Sequence, residues 1–480
     1  MNNFAHWVFE RHQQRLDQVS HIDSARSMTF AELQDQSQRL AASLRSHGLV
    51  AGDFAIIAQP TSCDFVVAFF ACIQMGIVPV PIDENATHDF VTRLQQRLHA
   101  KIILGTKYAA IADNLSNVAC SEYYQYDKDQ LCLLLCTSGS TGDPKLVCHR
   151  HEILYQLVNL AERSGYGIEQ TSTLMCASKL SFGYSVSNNC IVAPGIGCQA
   201  VLYDQPLTPQ QTATLVNVHK VTHLFAFPLV YNQLNDKAKI ELGSHLTCCV
   251  VSTEPCPKIT IDRFQQKYHR PLLNGIGWSE LFWMATANTP NLNRPYSIGK
   301  PLPGLATRIV DEQGNDCEVG QPGMLLVDSG STAIGYFDKL AANTATFDQG
   351  WMKTGDIVAQ DADGFYWFVN RQGQYVKINS QWVSSQDIEN TLLDTDQFKE
   401  CTVVFDRNAN DTLEAVAYAV PISNDVNPVR LRSDLLTRFK SHLVPKRIYL
   451  LPCLPRNARN KRIIDPDQLK RAYHDSLSQH

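Results

Sequence analysis

The sequence predicts an α/β protein. Its large N-terminal domain consists of layered α/β subdomains plus a small β subdomain, and a small α+β C-terminal domain follows. Three observations carry this expectation. Strand-length apolar runs alternate with helix-length amphipathic runs through the first half and beyond. From about Pro301 the texture changes to short strands and turns, and after Arg371 the alternation resumes on the scale of roughly 100 residues.

In chain order, residues 29–48 place Phe30, Leu33, Leu40 and Leu44 near one helical face. Thr29 and Glu32 are spaced as a capping box, and Gly48 is the stop. Residues 53–58 are strand-like, 64–76 form an apolar helix ending at Gly76, and 77–83 are extended because their prolines exclude a helix. Strands follow at 101–105 and 131–136, then a helix at 151–165 and strands at 198–203, 222–227 and 246–252. The small β subdomain reads as 306–317, 323–330 and 365–378. Beyond it, 387–395 and 429–443 are helical, whereas 401–406 and 414–421 are strands. The boundary falls near Arg371, giving domains 1–370 and 371–480, with no internal repeat or low-complexity linker.

A chain of 480 residues with 44% hydrophobic content can bury a large core. Lys plus Arg number 42 against 47 Asp plus Glu, a net charge of -5, so no broad footprint for nucleic acid or an anionic membrane is present. The fifteen cysteines are scattered, Cys248 and Cys249 adjacent, without a CxxC pair, which fits reduced thiols better than a disulfide framework or a zinc site. Charges interrupt the N-terminus where a signal peptide needs its apolar core, and no run approaches about eighteen apolar residues. The expectation is a cytoplasmic protein with small-molecule chemistry.

The informative stretch is LLLCTSGSTGDPK, residues 133–145. A buried strand gives way to small, conformationally loose residues that expose backbone N–H groups, which bind anions. The Walker loop GxxxxGK[ST] does not fit: counting from Gly139, its second glycine falls on Pro144 and its metal-binding hydroxyl on Leu146. In isolation, SGSTG is more often a turn with no ligand.

Thr137-Ser138-Gly139-Ser140-Thr141-Gly142-Asp143-Pro144-Lys145 resembles the phosphate loop [ST]SG[ST]TGxPKG of the adenylate-forming superfamily, which comprises acyl-CoA ligases, luciferases and adenylation domains; only the final glycine differs, as Leu146. Further segments resemble the family in the same order. Asn274-Gly275-Ile276-Gly277-Trp278-Ser279-Glu280 is similar to its xGxTE stretch, which implies adenine beside the backbone and Mg2+ on Glu280. Ser252-Thr253-Glu254 aligns with the segment on the other adenine face. Trp351-Met352-Lys353-Thr354-Gly355-Asp356 matches W-x-x-[TS]-G-D, whose carboxylate offers two acceptors to the ribose diol.

Arg371 falls on the arginine of GRxDD, but both aspartates are missing and the hinge position is Gly373, which can still absorb a large φ/ψ change. Ser380 replaces the glycine of KxxG. Residues 454–461 resemble LPRTxxGK, with Asn457 for Thr and Asn460 for Gly, and place Lys461 on the catalytic lysine. The resemblance covers residues 29–463 and implies that the small C-terminal domain is mobile.

The implied chemistry is ATP-dependent activation of a carboxylic acid to an acyl-adenylate with pyrophosphate release, then transfer to a thiol. The acceptor is CoA or, alternatively, a phosphopantetheinylated acyl carrier protein; a catalytically weakened homologue is a further alternative. Lys145, Glu280 and Lys461 carry the catalytic positions. Residues 176–184 most resemble the AKLFFAYG of benzoate-CoA ligases. Gly183 stands where amino-acid-activating domains place an aspartate, so the acid expected is aryl or another non-amino acid. Phe182, Gly183, Tyr184, Phe227, Gly277 and Trp283 would line a flat apolar slot, with Gly183 admitting a ring substituent and Trp283 closing the far end. His149 and His151 are expected to be structural rather than metal ligands, and Cys136 and Cys148 core.

Overall fold

The computed structural model describes residues 3–110, 115–137, 144–203, 207–236, 239–328, 330, 332–372, 375–378, 381–407, 413–423, 425–456 and 462–477. Two compact units emerge. The first comprises Met1–Cys256, Arg263–Thr307 and Val327–Lys353; the second comprises Pro257–Asp262, Arg308–Leu326 and Thr354–His480.

The first unit is built around a nine-stranded sheet. Its central strands Leu273–Gly277, Cys248–Val251, His223–Ala226, Thr173–Cys176, Gln199–Val201 and Val19–Ile22 run parallel in that spatial order, and antiparallel strands close both edges. Parallel strands need helical crossovers, which explains the alternation seen in the sequence. A second, three-stranded parallel sheet sets Phe54–Ile57 between Val78–Pro81 and Ile102–Leu104. Pro79 and Pro81 lie on its edge strand, where a missing N–H leaves no ladder bond unmade.

Helix Phe30–Ser46 starts with the expected capping box, Thr29 and Glu32 each bonding the other's backbone N–H. Helix Cys63–Met75 is buried at every residue but Asp64, which accounts for its nearly continuous apolar composition. It ends at Gly76, φ 73°, where a Cβ would come within 2.5 Å of the Tyr124 ring. Together these elements form one large core with Phe4, Phe65, Phe69, Phe70 and Phe225 among its buried side chains.

In the second unit, Leu413–Pro421 is the central strand of a three-stranded sheet, antiparallel to Phe398–Arg407 and parallel to Arg447–Leu450. Ile388 and Leu392 of helix Ser385–Leu393, with Leu431 and Leu435 of helix Pro428–Arg438, pack into one core. Leu469 of helix Pro466–Leu477 joins Val404, Tyr418 and Leu454 in another. Both strand faces are therefore covered, as the α+β reading requires. The unit also takes in Arg308–Leu326 and the hairpin of Trp351–Gln360 with Tyr366–Arg371 from Thr354 onward.

Candidate active site

Four adjacent parallel strands of the first unit release the chain at the same sheet edge, the carboxyl end where ligands bind in open α/β sheets. Strand Thr173–Cys176 leads to Phe182, Gly183 and Tyr184; His223–Ala226 to Phe227; Cys248–Val251 to Ser252, Thr253 and Glu254; and Leu273–Gly277 carries Asn274, Gly275, Ile276 and Gly277 before Ser279 and Glu280. Residues scattered over about a hundred positions are thus gathered by topology alone.

Two backbone features mark this edge. Thr253 has φ 81°, an unfavourable conformation for a β-branched residue, and Phe282 has φ 68°. The turn between strands Leu273–Gly277 and Met284–Ala287 is also tight, since a Cβ on Gly277 would lie 2.1 Å from the Trp283 carbonyl oxygen. Only glycine allows that approach. The buried Asn274 side chain donates to the Ser297 carbonyl at 3.2 Å, while the Asn274 backbone carbonyl accepts from the Asn288 backbone N–H at 3.0 Å.

The phosphate-loop sequence joins the antiparallel strands Leu131–Thr137 and Lys145–Arg150, with Thr137 opposite Lys145. Ser138, Gly139, Ser140, Thr141 and Gly142 lie outside the described residues, but both feet of the loop are fixed. Thr137 donates from its hydroxyl to the Lys145 carbonyl at 3.3 Å. The Lys145 ammonium sits 4.7 Å from the Tyr336 ring centroid, and the Tyr336 hydroxyl donates to Glu280 Oε1 at 2.7 Å. The Glu280 backbone carbonyl accepts from the Ala333 N–H at 2.7 Å. Tyr336 was not foreseen; the signal for it would have been its place in a short strand beside the loop.

Among the described residues no group of three or more His, Cys, Asp or Glu is arranged to hold a metal. The single half-buried Glu280 carboxylate nevertheless fits Mg2+, which takes one or two carboxylates and draws its other ligands from phosphate oxygens and water. His149 and His151 do not converge. The His149 Nε2–H donates to the Ser279 carbonyl at 2.8 Å with the ring stacked on Phe282, and His151 Nε2 accepts from the Phe4 N–H at 3.1 Å while stacked on Tyr126. Burial pushes each imidazole down to about 3, so both are neutral packing groups. Cys148 is buried, with its thiol pushed up to about 11, and Cys136 is half-buried.

Of the expected slot residues, Tyr184 and Trp283 meet through a residue the sequence did not single out. The Trp283 indole N–H donates to Asn188 Oδ1 at 3.3 Å, and Asn188 Nδ2 donates to the Tyr184 carbonyl at 2.7 Å. Asn188 lies in a buried π-helical segment, Val186–Val192, a local widening that simple periodicity does not reveal. Burial pushes the Tyr184 phenol up, so its O–H stays protonated, and that hydroxyl has no partner among the described residues.

A Cβ on Gly183 would lie 3.0 Å from Leu135 Cδ1, a close approach to the end of a flexible side chain. Phe182 and Phe227 are half-buried at the strand ends.

In the second unit, Asp356 and Arg371 face each other across the hairpin. Arg371 Nε lies 2.9 Å from Asp356 Oδ1, and its Nη2 donates to the Thr354 carbonyl at 3.1 Å. Gly373, Ser380, Asn457, Asn460 and Lys461 lie outside the described residues.

The AMP-binding enzyme family matches residues 8–337, well over half of the chain. A 4-hydroxybenzoate–CoA/benzoate–CoA ligase of Rhodopseudomonas palustris is 26% identical over 92% of this chain and 89% of its own length. The p-hydroxybenzoic acid–AMP ligase FadD22 of Mycobacterium tuberculosis is 25% identical over 90% of this chain and 64% of its own length. In fold, the chain resembles the anthranilate CoA ligase AuaEII, solved with anthranoyl-AMP, at a TM-score of 0.89 and 21% identity over 99% of this chain and 98% of that one. No helix among the described residues is long and apolar enough to cross a membrane. The chain belongs to the AMP-binding enzyme family.

Proposed function

We propose that the protein is an acid–thiol ligase that activates an aryl carboxylic acid with ATP and passes the acyl group to coenzyme A. The observation that carries this reading is the Lys145–Tyr336–Glu280 arrangement at the root of the 138–144 loop, beside the converging strand ends. It offers a cation to a triphosphate and a carboxylate to its counter-ion.

In the first step a carboxylate oxygen attacks the α-phosphorus, the new O–P bond forms, and the bond to the β-phosphate breaks as pyrophosphate leaves. Two anions must meet, so the chain's task is to offset negative charge and hold the reactants in line. Lys145 faces the phosphates, Glu280 would hold Mg2+, and Lys461 acts at the acyl and ribose oxygens. The ion, when bound, supplies charge neutralisation on the phosphates. Adenine lies between the segments 252–254 and 274–276. Asp356 accepts from the ribose hydroxyls, with Arg371 holding its carboxylate.

In the second step a thiolate attacks the acyl carbon and AMP leaves. A boundary at 371, with Gly373 as pivot, lets the domain 371–480 withdraw Lys461 and admit the thiol. Phe182, Gly183, Tyr184, Phe227, Gly277 and Trp283 form the aryl slot, its wall stiffened by Asn188.

A second reading replaces CoA by an acyl carrier protein. It is supported by the replacements at Gly373, Ser380 and Asn460 and by a relative named as an acid–AMP ligase. ATP–pyrophosphate exchange across benzoate, hydroxybenzoates, aminobenzoates, hydroxycinnamates and short fatty acids tests the first step, and CoA consumption tests the second. Fastest exchange with fatty acids would reject the aryl slot, and exchange without CoA use would favour the carrier protein.

A further inference from the structure

Tyr336 occupies a two-residue strand, Gly335–Tyr336, paired antiparallel with Lys145–Arg150. It is 5% exposed, and its backbone is clamped by one carboxamide: Asn343 Oδ1 accepts from the Tyr336 N–H, and Asn343 Nδ2 donates to the Tyr336 carbonyl at 3.0 Å. A Cβ on Gly335, φ 152°, would press to 2.9 Å from Asn343 Oδ1. The ring therefore projects from a fixed backbone.

That ring serves two charges through two different parts. Its face receives the Lys145 ammonium at 4.7 Å, and its hydroxyl donates to Glu280 Oε1 at 2.7 Å. Lys145 and Glu280 both contact this side chain, and no ion pair joins the two among the described residues. A direct pair would neutralise the ammonium needed for phosphate and the carboxylate needed for a cation. The phenol engages each of them separately, one at its face and one at its hydroxyl.

We infer that Tyr336 is a positioning residue. It orients the Glu280 carboxylate by one hydrogen bond from its hydroxyl and positions Lys145 over its face, leaving one charge for a divalent cation and the other for phosphate oxygens. This rests on the proposed nucleotide site, and it assigns to Tyr336 a role that neither its burial nor its strand pairing demands.

Tyr336→Phe removes only the hydroxyl, and Tyr336→Leu also removes the aromatic face. Mn2+ binding in the presence of ATP, followed by the electron paramagnetic resonance of free Mn2+, gives a readout independent of turnover. Pyrophosphate exchange gives the kinetic one. Tyr336→Phe should weaken Mn2+ binding by roughly tenfold, the scale of a hydrogen bond to a charged group, and leave the KM for the acid unchanged. Its effect on exchange should shrink to less than about twofold in a Glu280→Gln background, since residues acting through one another are not additive. Tyr336→Leu should in addition raise the KM for ATP. Unchanged Mn2+ affinity in Tyr336→Phe, or full additivity with Glu280→Gln, would overturn the assignment. Wild-type protein that binds Mn2+ with ATP but exchanges with no acid would reject the proposed function and leave the positioning role standing.

Discussion

Glu389 is bonded to Arg462, the residue that follows the segment carrying Lys461. Arg462 Nη1 donates to Glu389 Oε2 at 3.2 Å and to the Cys401 carbonyl at 2.6 Å, and Glu389 Oε1 accepts from the Val403 N–H at 3.0 Å. The two side chains are only 13% and 6% exposed. Arg456 bridges to Arg462 across the segment, and the Ile463 N–H donates to the Pro455 carbonyl at 2.9 Å, so the ends of 457–461 are tied together. Removing one member of a buried pair strands the other charge, at a cost of about 3–5 kcal/mol. Glu389→Ala should lower the stability of the second unit by that order in urea denaturation, whereas Glu389→Leu combined with Arg462→Met should recover most of it. A loss below about 1 kcal/mol, the scale of an exposed pair, would show that the pair is solvated.

Lys461 itself makes a sharper kinetic prediction. If it acts only on the charge that develops during adenylate formation, Lys461→Ala should depress that step by at least about a hundredfold. Thioester formation from a supplied acyl-adenylate should stay within a few-fold of wild type. Equal loss in both half-reactions, measured by single turnover, would contradict the division of labour between the domains.

Asp356 should decide how the ribose is read. Its carboxylate is almost fully buried and held by Arg371 on one oxygen. Asp356→Asn keeps the shape but loses an acceptor and the charge, so the arginine loses its ion-pair partner. The wild type should prefer ATP over 2′,3′-dideoxy-ATP in kcat/KM, and the variant should lose roughly tenfold of that preference. Discrimination that survives intact would place the ribose elsewhere.

What the sequence revealed about this molecule depends on the range of the physics involved. The capping box at Thr29 and Glu32, the apolar helix at 63–75 and the extended proline stretch at 78–81 are local, and they stand where periodicity and capping place them. Phosphate-loop, xGxTE and TGD segments were legible because their chemistry sits in consecutive residues. Tyr336 and Asn188 were not, because each gains its role from a partner far away in sequence: Glu280 for one, Trp283 for the other. Gly183 shows the same limit: a glycine signals missing volume in the sequence, but only the fold reveals that Leu135 Cδ1 lies 3.0 Å from where a Cβ would sit.

Gly277 offers the most direct test of the turn. An added methyl would meet the Trp283 backbone oxygen at 2.1 Å, a contact that no rotamer change relieves. Gly277→Ala should therefore shift the hairpin and destabilise the first unit by about 1–3 kcal/mol, with a raised KM for both acid and ATP. Gly304→Ala is the control for its location, since a Cβ there meets nothing within 4 Å, and its φ of 97° supplies backbone strain alone. If Gly277→Ala is no more disruptive than this control, the close approach is not what the site requires.

Buried histidines should weaken the first unit in acid. Burial holds His149 and His151 down at about 3 and His21 at about 4, and it lowers His12 and His223 as well. Unfolded, each titrates near 6.5. Between these values the unfolded chain takes up protons that the folded chain refuses, so stability is fully present above about pH 6.5 and falls as the pH drops toward 3. The urea midpoint should decline steadily from pH 7 to pH 4.5. His149→Gln retains a donor for the Ser279 carbonyl and removes one titrating group, so its stability should depend on pH less steeply, by about 1.4 kcal/mol per pH unit in that window. Parallel profiles for the variant and the wild type would mean that His149 is protonated in the folded protein, and its stacking on Phe282 would need another explanation.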